Sequence, residues 1–248
     1  MRIEITLRSS DPKGKIVLPF RYPELVQALI YRHLTPRHAE KLHNDGFIHG
    51  KRRFKLFTFS RLRGPRERTG KQGNGFLVFK ERMYLQISSP VDWLLPEIAE
   101  SLIKSGNIVL GKNQLSVESI KVFQPVILEP PFTLRMLSPV TMYSTLKKAD
   151  GKKKTYYYNP REEEFSILLS RNAQKKYELV YKTQRDGSFT LIPLRPPRLH
   201  PVNYKGTIIH AYSGIFEAEG DPELLQVTYE CGLGAKNSQG FGMWELVE

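Results

Sequence analysis

Gly232-Leu233-Gly234-Ala235-Lys236-Asn237-Ser238-Gln239-Gly240-Phe241-Gly242, close to the end of the sequence, is the stretch from which the rest is read. Its four glycines free the backbone to take positive φ and let another molecule come close to its N–H groups. Between them, Lys236, Asn237, Ser238 and Gln239 supply a cation and several neutral hydrogen-bonding groups, the chemistry of a loop that holds phosphate. The flanks exclude two nucleotide-binding plans. Asp221-Pro222 reads as an N-cap followed by proline at the first helical position, so Glu223 to Cys231 is a helix that stops at Gly232. Met243 to Val247 reads as a strand. A P-loop opens a helix, and a dinucleotide loop stands between strand and helix. Here the order is helix, loop, strand.

Working back from the loop, Phe132 to Ser138 and Val140 to Leu146 have extended patterns, and Lys154 to Tyr158 returns across an Asp150-Gly151 turn. Asn159-Pro160 is expected to cap a helix whose first turn carries Glu162, Glu163 and Glu164, the sign that the helix dipole favours. Tyr204 to Ala218 gives further extended segments before the last helix. The N-terminal half repeats this plan. Arg2 to Arg8 alternates with Ile3, Ile5 and Leu7 inward, and a helix runs from Pro23 to about Leu34 on a stripe of Leu25, Val26, Leu29, Ile30 and Leu34. Thr35-Pro36 opens a short second helix that ends near His43, at the Asn44-Asp45-Gly46 turn. Phe54 to Leu62 is expected to be one strand, with Phe54, Leu56 and Leu62 on one face and Lys55, Phe57, Phe59 and Arg61 on the other. A polar connection from Gly64 to Gly75 follows. Phe76 to Lys80 and Met83 to Ser88 are then expected to pair as a hairpin, Val91 to Ser105 to be helical, and Ile108 to Leu110 with Leu115 to Phe123 to be strand. Each half thus approximates strand–helix–strand–strand–helix–strand. The expected fold class is α+β, two tandem ferredoxin-like domains of the RNA-recognition-motif plan, over residues 1–124 and 125–248.

With 248 residues, 40% hydrophobic and 25% charged, the composition is that of a soluble globular protein. No apolar run reaches membrane-spanning length, and the N-terminus starts as a strand rather than a signal peptide, so a cytoplasmic protein with no membrane partner is expected. The single cysteine, Cys231, excludes an intrachain disulfide and a multi-cysteine zinc site, and no HExxH spacing occurs, so neither metal nor cofactor is expected. The net charge of +13 points to a polyanionic partner, nucleic acid ahead of membrane surface. It is clustered: between Arg37 and Lys71 lie Lys41, Lys51, Arg52, Arg53, Lys55, Arg61, Arg63, Arg66 and Arg68, against only Glu40, Asp45 and Glu67.

The string Gly-Leu-Gly-x-Lys-Asn-Ser-x-Gly-Phe-Gly-Met ahead of a final short strand closely resembles the C-terminal signature of CRISPR-associated endoribonucleases of the Cas six type, in the repeat-associated mysterious protein superfamily. The resemblance implies tandem ferredoxin-like domains and cleavage of CRISPR precursor RNA within its repeats. CRISPR repeat RNA is then the partner of a monomer or homodimer, with subunits of a CRISPR effector complex as further partners. A non-cutting subunit that holds repeat RNA is the alternative.

RNA is cut without a metal when the 2′-hydroxyl attacks its own phosphate. A base takes the hydroxyl proton, an acid protonates the departing 5′-oxygen, and a cation steadies the charged transition state. Histidine, with an ordinary pKa of about 6.5, suits the proton work. In the resembled family the site is formed by a tyrosine in the first helix, a histidine in a Leu-His turn, and a lysine ahead of a Leu-Phe-Thr-aromatic-Ser strand. Leu29-Ile30-Tyr31, Leu42-His43 and Lys55-Leu56-Phe57-Thr58-Phe59-Ser60 match these positions one by one. His43 is therefore the expected acid–base residue, Tyr31 its hydrogen-bonding partner or a second proton carrier, and Lys55 the transition-state cation. The long spacer from Gly46 to Phe54 carries His49, which takes or shares the histidine role in a second version; His33 and His38 also stay in the candidate set. For RNA contacts the candidates are Lys51, Arg52, Arg53 and Arg61, with Gly232, Gly234, Lys236, Asn237, Ser238, Gly240 and Gly242 in the loop. Phe57 and Phe59 are candidates for base stacking, and Lys147, Lys148, Lys152, Lys153 and Lys154 flank a hairpin tip that could reach along RNA. His200 and His210 are read as structural.

Overall fold

A computed structural model describes residues 1–70, 75–147 and 151–247. The expected connection residues Lys71 to Asn74, and Lys148 and Asp150 of the expected hairpin tip, lie outside the described residues.

The first half runs β1 (Arg2–Ser9), β2 (Lys15–Pro19), α1 (Pro23–Arg32), α2 (Pro36–Glu40), β3 (Phe47–His49), β4 (Arg52–Phe54), β5 (Thr58–Phe59), β6 (Arg66–Thr69), β7 (Phe76–Lys80), β8 (Arg82–Ser88), α3 (Leu94–Ser105), β9 (Asn107–Leu110) and β10 (Asn113–Val122). Its main sheet is antiparallel in the order β5-β8-β1-β10-β9. Ile3, Ile5 and Leu7 of β1 meet Val26, Leu29 and Ile30 of α1 and Ile98 and Leu102 of α3 in one core. The second half runs β11 (Phe132–Met136), β12 (Tyr143–Lys147), β13 (Lys153–Tyr157), α4 (Glu163–Tyr181), β14 (Phe189–Pro193), β15 (Arg198–Tyr204), β16 (Thr207–Ser213), β17 (Ile215–Gly220), α5 (Pro222–Cys231) and β18 (Trp244–Leu246). Its sheet order is β14-β17-β11-β18. Leaving out β9, both sheets place their first strand between the third and the fourth, the ferredoxin-like order, and the fold is two such units in tandem.

The local signals that define the elements act as capping physics requires. Asp221 accepts from the backbone N–H groups of Glu223 and Leu224 at the start of α5. Thr35 caps α2 by accepting from His38 N–H, and Gly46 at φ +60 ends the π-helical turn Lys41–Asp45 that continues α2. The units are joined by buried polar contacts. Arg2 donates to the carbonyls of Trp244 at 2.9 Å and Tyr229 at 2.8 Å, with its guanidinium 3.6 Å over the Tyr229 ring. Thr58 Oγ1 donates to the Phe241 carbonyl at 2.9 Å.

Four expectations are corrected. Phe54 to Leu62 is not one strand: Leu56 takes φ +52, ends β4's run and enters the core of the second unit. Phe57 and Phe59 do share a face, but it is the core of the first unit, and both are fully buried rather than open to bases. β7 and β8 do not pair with each other. Glu81, at φ +58 between them, lets the chain cross from a three-stranded sheet, β2-β7-β6, into the main sheet. The N-cap of α4 is Glu162 rather than Asn159; Asn159 Oδ1 accepts from Arg161 N–H and the Glu162 carboxylate accepts from Asn159 N–H. The expected polar connection also contains a strand, β6, whose residues are all exposed.

Candidate active site

Between the units lies a cleft of about 520 Å³. One wall is the chain from Arg52 to Phe57; the other is Gly234 to Gln239 of the glycine loop, with Tyr143 of β12 and Asn172 and Lys176 of α4. The loop is shaped from within. Lys176 is fully buried, and its ammonium donates to the carbonyls of Gly232 at 2.6 Å and Gly234 at 2.9 Å and to Asn237 Oδ1 at 2.8 Å. Burial pulls its pKa down to about 8, so it remains protonated at neutral pH. Asn237 passes the restraint on, donating through Nδ2 to the carbonyls of Leu233 and Phe241.

Space beside the loop glycines is filled by the protein itself. A Cβ on Gly242 would stand 2.0 Å from the Leu233 carbonyl oxygen, and one on Gly240 2.6 Å from the Phe59 ring. Gly232, Gly234, Gly240 and Gly242 are all buried, whereas Lys236, Asn237 and Ser238 are partly exposed on the cleft wall. Lys236 takes φ +60, carries its ammonium 5.1 Å from the centre of the Tyr143 ring, and has its pKa lowered by burial.

Tyr31, His43 and Lys55 come together at the N-terminal side. The rings of Tyr31 and His43 meet edge to face with centres 6.1 Å apart, and Tyr31 rests on Phe57 in the same manner at 6.2 Å. Lys55 crosses the end of the π turn, donating to the carbonyls of Leu42 and His43, the latter at 2.6 Å. It can do so because residue 46 is glycine: a Cβ there would sit 2.5 Å from the Phe54 carbonyl oxygen and 3.2 Å from the Lys55 ammonium. Burial, then Arg53, lower the Lys55 pKa, opposed by Asp45. Burial pushes the Tyr31 phenol up to about 12, so it is a hydrogen-bond donor at neutral pH. His43 is exposed, and its Nδ1 lies 2.9 Å from Asn44 Oδ1. An amide oxygen only accepts, so the neutral tautomer that suits this contact carries its proton on Nδ1, with Nε2 as the acceptor.

His49 is committed elsewhere. On the β3–β4 hairpin, its Nε2 lies 3.0 Å from Glu178 Oε2 of α4, in a separate depression. His33 bonds Ser101 at 2.9 Å, and His38 stacks on Trp93 while facing Glu97. His200 contacts Ser213 and His210 stacks on Tyr157, both structural settings. Lys51, Arg52 and Arg53 are exposed on the same hairpin; Arg53 also donates to the Asn44 carbonyl at 2.6 Å. Arg61 lies off the cleft wall, its guanidinium 5.8 Å from the Phe241 ring, and with Arg198 and Arg68 it helps burial hold the His200 imidazole down.

The sequence candidates include the helix α4 but none of its residues as part of the site. Lys176 lies on its buried stripe with Phe165, Leu169 and Ala173, and a lysine in phase with apolar residues was the available signal. Arg171 and Lys175 line the separate depression that holds His49 and Glu178. The Lys175 ammonium is lowered by burial, then by Arg52 of the β3–β4 hairpin and by Arg171 one turn away.

Fold and cleft together define a class: tandem ferredoxin-like proteins with a cation-walled groove between the units. Residues 17–121 match the family model described as CRISPR-associated protein Cas6, N-terminal, and residues 124–246 match CRISPR associated protein Cas6, C-terminal. The chain belongs to the Cas6 family. It is 30% identical over its full length to the CRISPR-associated endoribonuclease Cas6 1 of Methanocaldococcus jannaschii, covering 93% of that protein. It is 28% identical to the CRISPR-associated endoribonuclease Cas6 of Pyrococcus furiosus, over 98% of this chain and 89% of that one. Among solved structures, one titled "An RAMP protein binding different RNA substrates" superposes with a TM-score of 0.82 at 25% identity over all of both chains.

Proposed function

We propose that this chain is a metal-independent endoribonuclease that cuts CRISPR precursor RNA within each repeat. The observation that carries the reading is the convergence of Tyr31, His43 and Lys55 beside a cleft whose opposite wall is the glycine loop. RNA lies in the cleft, with its backbone against Lys236, Ser238, Arg52 and Arg53. His43 Nε2 takes the 2′-hydroxyl proton as the 2′-oxygen bonds to phosphorus. The phosphorus–O5′ bond breaks, and O5′ receives a proton from Tyr31 or from the imidazolium just formed. Lys55 has two N–H groups on backbone carbonyls and one left for the phosphorane oxygens, a preorganised donor. The products are a 2′,3′-cyclic phosphate and a 5′-hydroxyl. The named endoribonuclease relatives support the reading.

The binding-only alternative draws on the same Lys55 contacts, which hold the His43 turn whether or not chemistry follows. Labelled repeat RNA incubated with the protein in EDTA separates the two. Product in EDTA, abolished by a 2′-deoxy substitution at the scissile nucleotide while binding persists, is the expected result. A shifted band without product supports the binder. Cutting of the deoxy substrate, or only with magnesium, overturns the mechanism.

A further inference from the structure

Gln27 stands one turn before Tyr31 on the same face of α1. Its Nε2 donates to the Ser238 carbonyl of the glycine loop at 2.7 Å, and its Oε1 accepts from the phenol of Tyr204 at the end of β15. A carbonyl oxygen only accepts, so the amide has one orientation here and both its ends are used. One turn earlier, Glu24 accepts from the backbone N–H of Lys205 at 2.8 Å, so the β15–β16 hairpin braces the same helix. Among the described residues, no other side chain of α1 hydrogen-bonds the glycine loop.

This contact joins parts with separate origins. Lys236 and Ser238 sit on the loop of the second unit and face the cleft; Tyr31 sits on α1 of the first and faces His43. Their offset decides whether a backbone gripped by the loop presents its scissile phosphate to the cluster. We propose that Gln27 is a positioning residue, which locks the loop's turn at Asn237–Gln239 to the helix carrying Tyr31 and so sets that register. The catalytic part rests on the ribonuclease reading above. Loss of register slows the reaction of bound RNA far more than it weakens binding, because the phosphate contacts remain.

The test uses the full chain with Gln27→Ala, Gln27→Glu and Tyr204→Phe, each checked for an unchanged unfolding transition. Amide hydrogen exchange is followed at Gln239 and Gly240, whose N–H groups close the turn onto Lys236 and Asn237 carbonyls at 2.9 Å. Single-turnover cutting is followed at saturating repeat RNA. Both Gln27 variants are expected to raise exchange at these amides and to slow cutting, each about tenfold, with affinity changed less than about twofold, the size expected from one lost hydrogen bond. Gln27→Glu is diagnostic, because it still accepts from Tyr204 and no longer donates to Ser238. Tyr204→Phe keeps the Ser238 bond and gives the smaller effect. Unchanged loop exchange overturns the proposal whatever the activity. So does a Gln27→Glu protein that cuts like the parent, or a rate loss matched by an equal loss of affinity. Should the parent not cut RNA at all, the proposed function fails, and loop exchange alone decides for or against Gln27.

Discussion

The ammonium of Lys176, in the middle of α4, donates to Asn237 Oδ1 in the glycine loop at 2.8 Å, across 61 residues of sequence. With the carbonyls of Gly232 and Gly234 this gives three acceptors for three N–H groups in a fully buried setting. Loop shape on this wall of the cleft is therefore set by a buried cation rather than by an exposed one.

Lys176→Met keeps the length of the side chain and removes its donors. It is expected to destabilise the fold by about 2–4 kcal/mol in urea titrations at pH 7, since three acceptors lose a charged donor while one buried charge is relieved. The pH dependence has a definite sign. The folded-state pKa, about 8, lies below the ordinary 10.5, so between these values the unfolded chain binds more protons than the native one. Stability of the parent relative to the methionine variant therefore rises with pH across that window and is flat below it. A parent-to-variant difference that shrinks from pH 8 to pH 10 contradicts the assignment.

Two glycines separate crowding from backbone strain. Gly106, at the end of α3, takes φ +63 with open space where a Cβ would go; Gly242 takes φ +80, and its Cβ would stand 2.0 Å from the Leu233 carbonyl oxygen. Gly106→Ala is expected to cost about 1–2 kcal/mol, the left-handed penalty alone. Gly242→Ala adds a backbone clash to that penalty, is expected to lower the thermal midpoint much further, and takes RNA binding with it. Equal losses at the two sites would mean that loop packing is looser than described.

Regular signals carried the fold. Periodicity in β1 and α1, the caps at Thr35 and Asp221, and the glycine string located the elements that define both units. What failed was non-local. Leu56 at φ +52 breaks an apolar run that reads as one strand, because its side chain belongs to the other unit's core, and nothing within a window of nine residues records that. The crossover at Glu81 fails for the same reason. At the candidate site, the cluster of Tyr31, His43 and Lys55 lay on motif positions of the sequence, whereas Lys176 and Gln27 bond to partners more than 50 residues away.

Binding is expected to be steeply salt-dependent. Arg52, Arg53, Lys55 and Lys236 line the cleft. If all four neutralise phosphates of single-stranded RNA, log K falls with log salt at a slope of about −3. Arg52→Ala should make the slope shallower by about 0.7, whichever base is present, as a phosphate contact requires. An unchanged slope would place the backbone elsewhere, and a changed base preference would make Arg52 a reader of sequence.

The three residues assigned to chemistry are expected to separate from His49 in rate rather than in affinity. His43→Ala removes the acceptor Nε2 and should slow single-turnover cutting by roughly 10²- to 10⁴-fold at nearly constant affinity, the range for loss of a general acid–base group. Tyr31→Phe keeps the packing on Phe57 and His43 but loses a donor whose pKa burial has raised to about 12. It should reduce the rate by roughly tenfold and leave the pH–rate profile unaltered between pH 6 and 9, because the phenol is protonated throughout. His49→Ala breaks only the contact with Glu178 and should change the rate less than about threefold, within the small worth of a partly exposed ion pair. Comparable losses from His43→Ala and His49→Ala would instead mean that the β3–β4 hairpin swings from α4 into the cleft when RNA binds, and the acid–base assignment would move to His49.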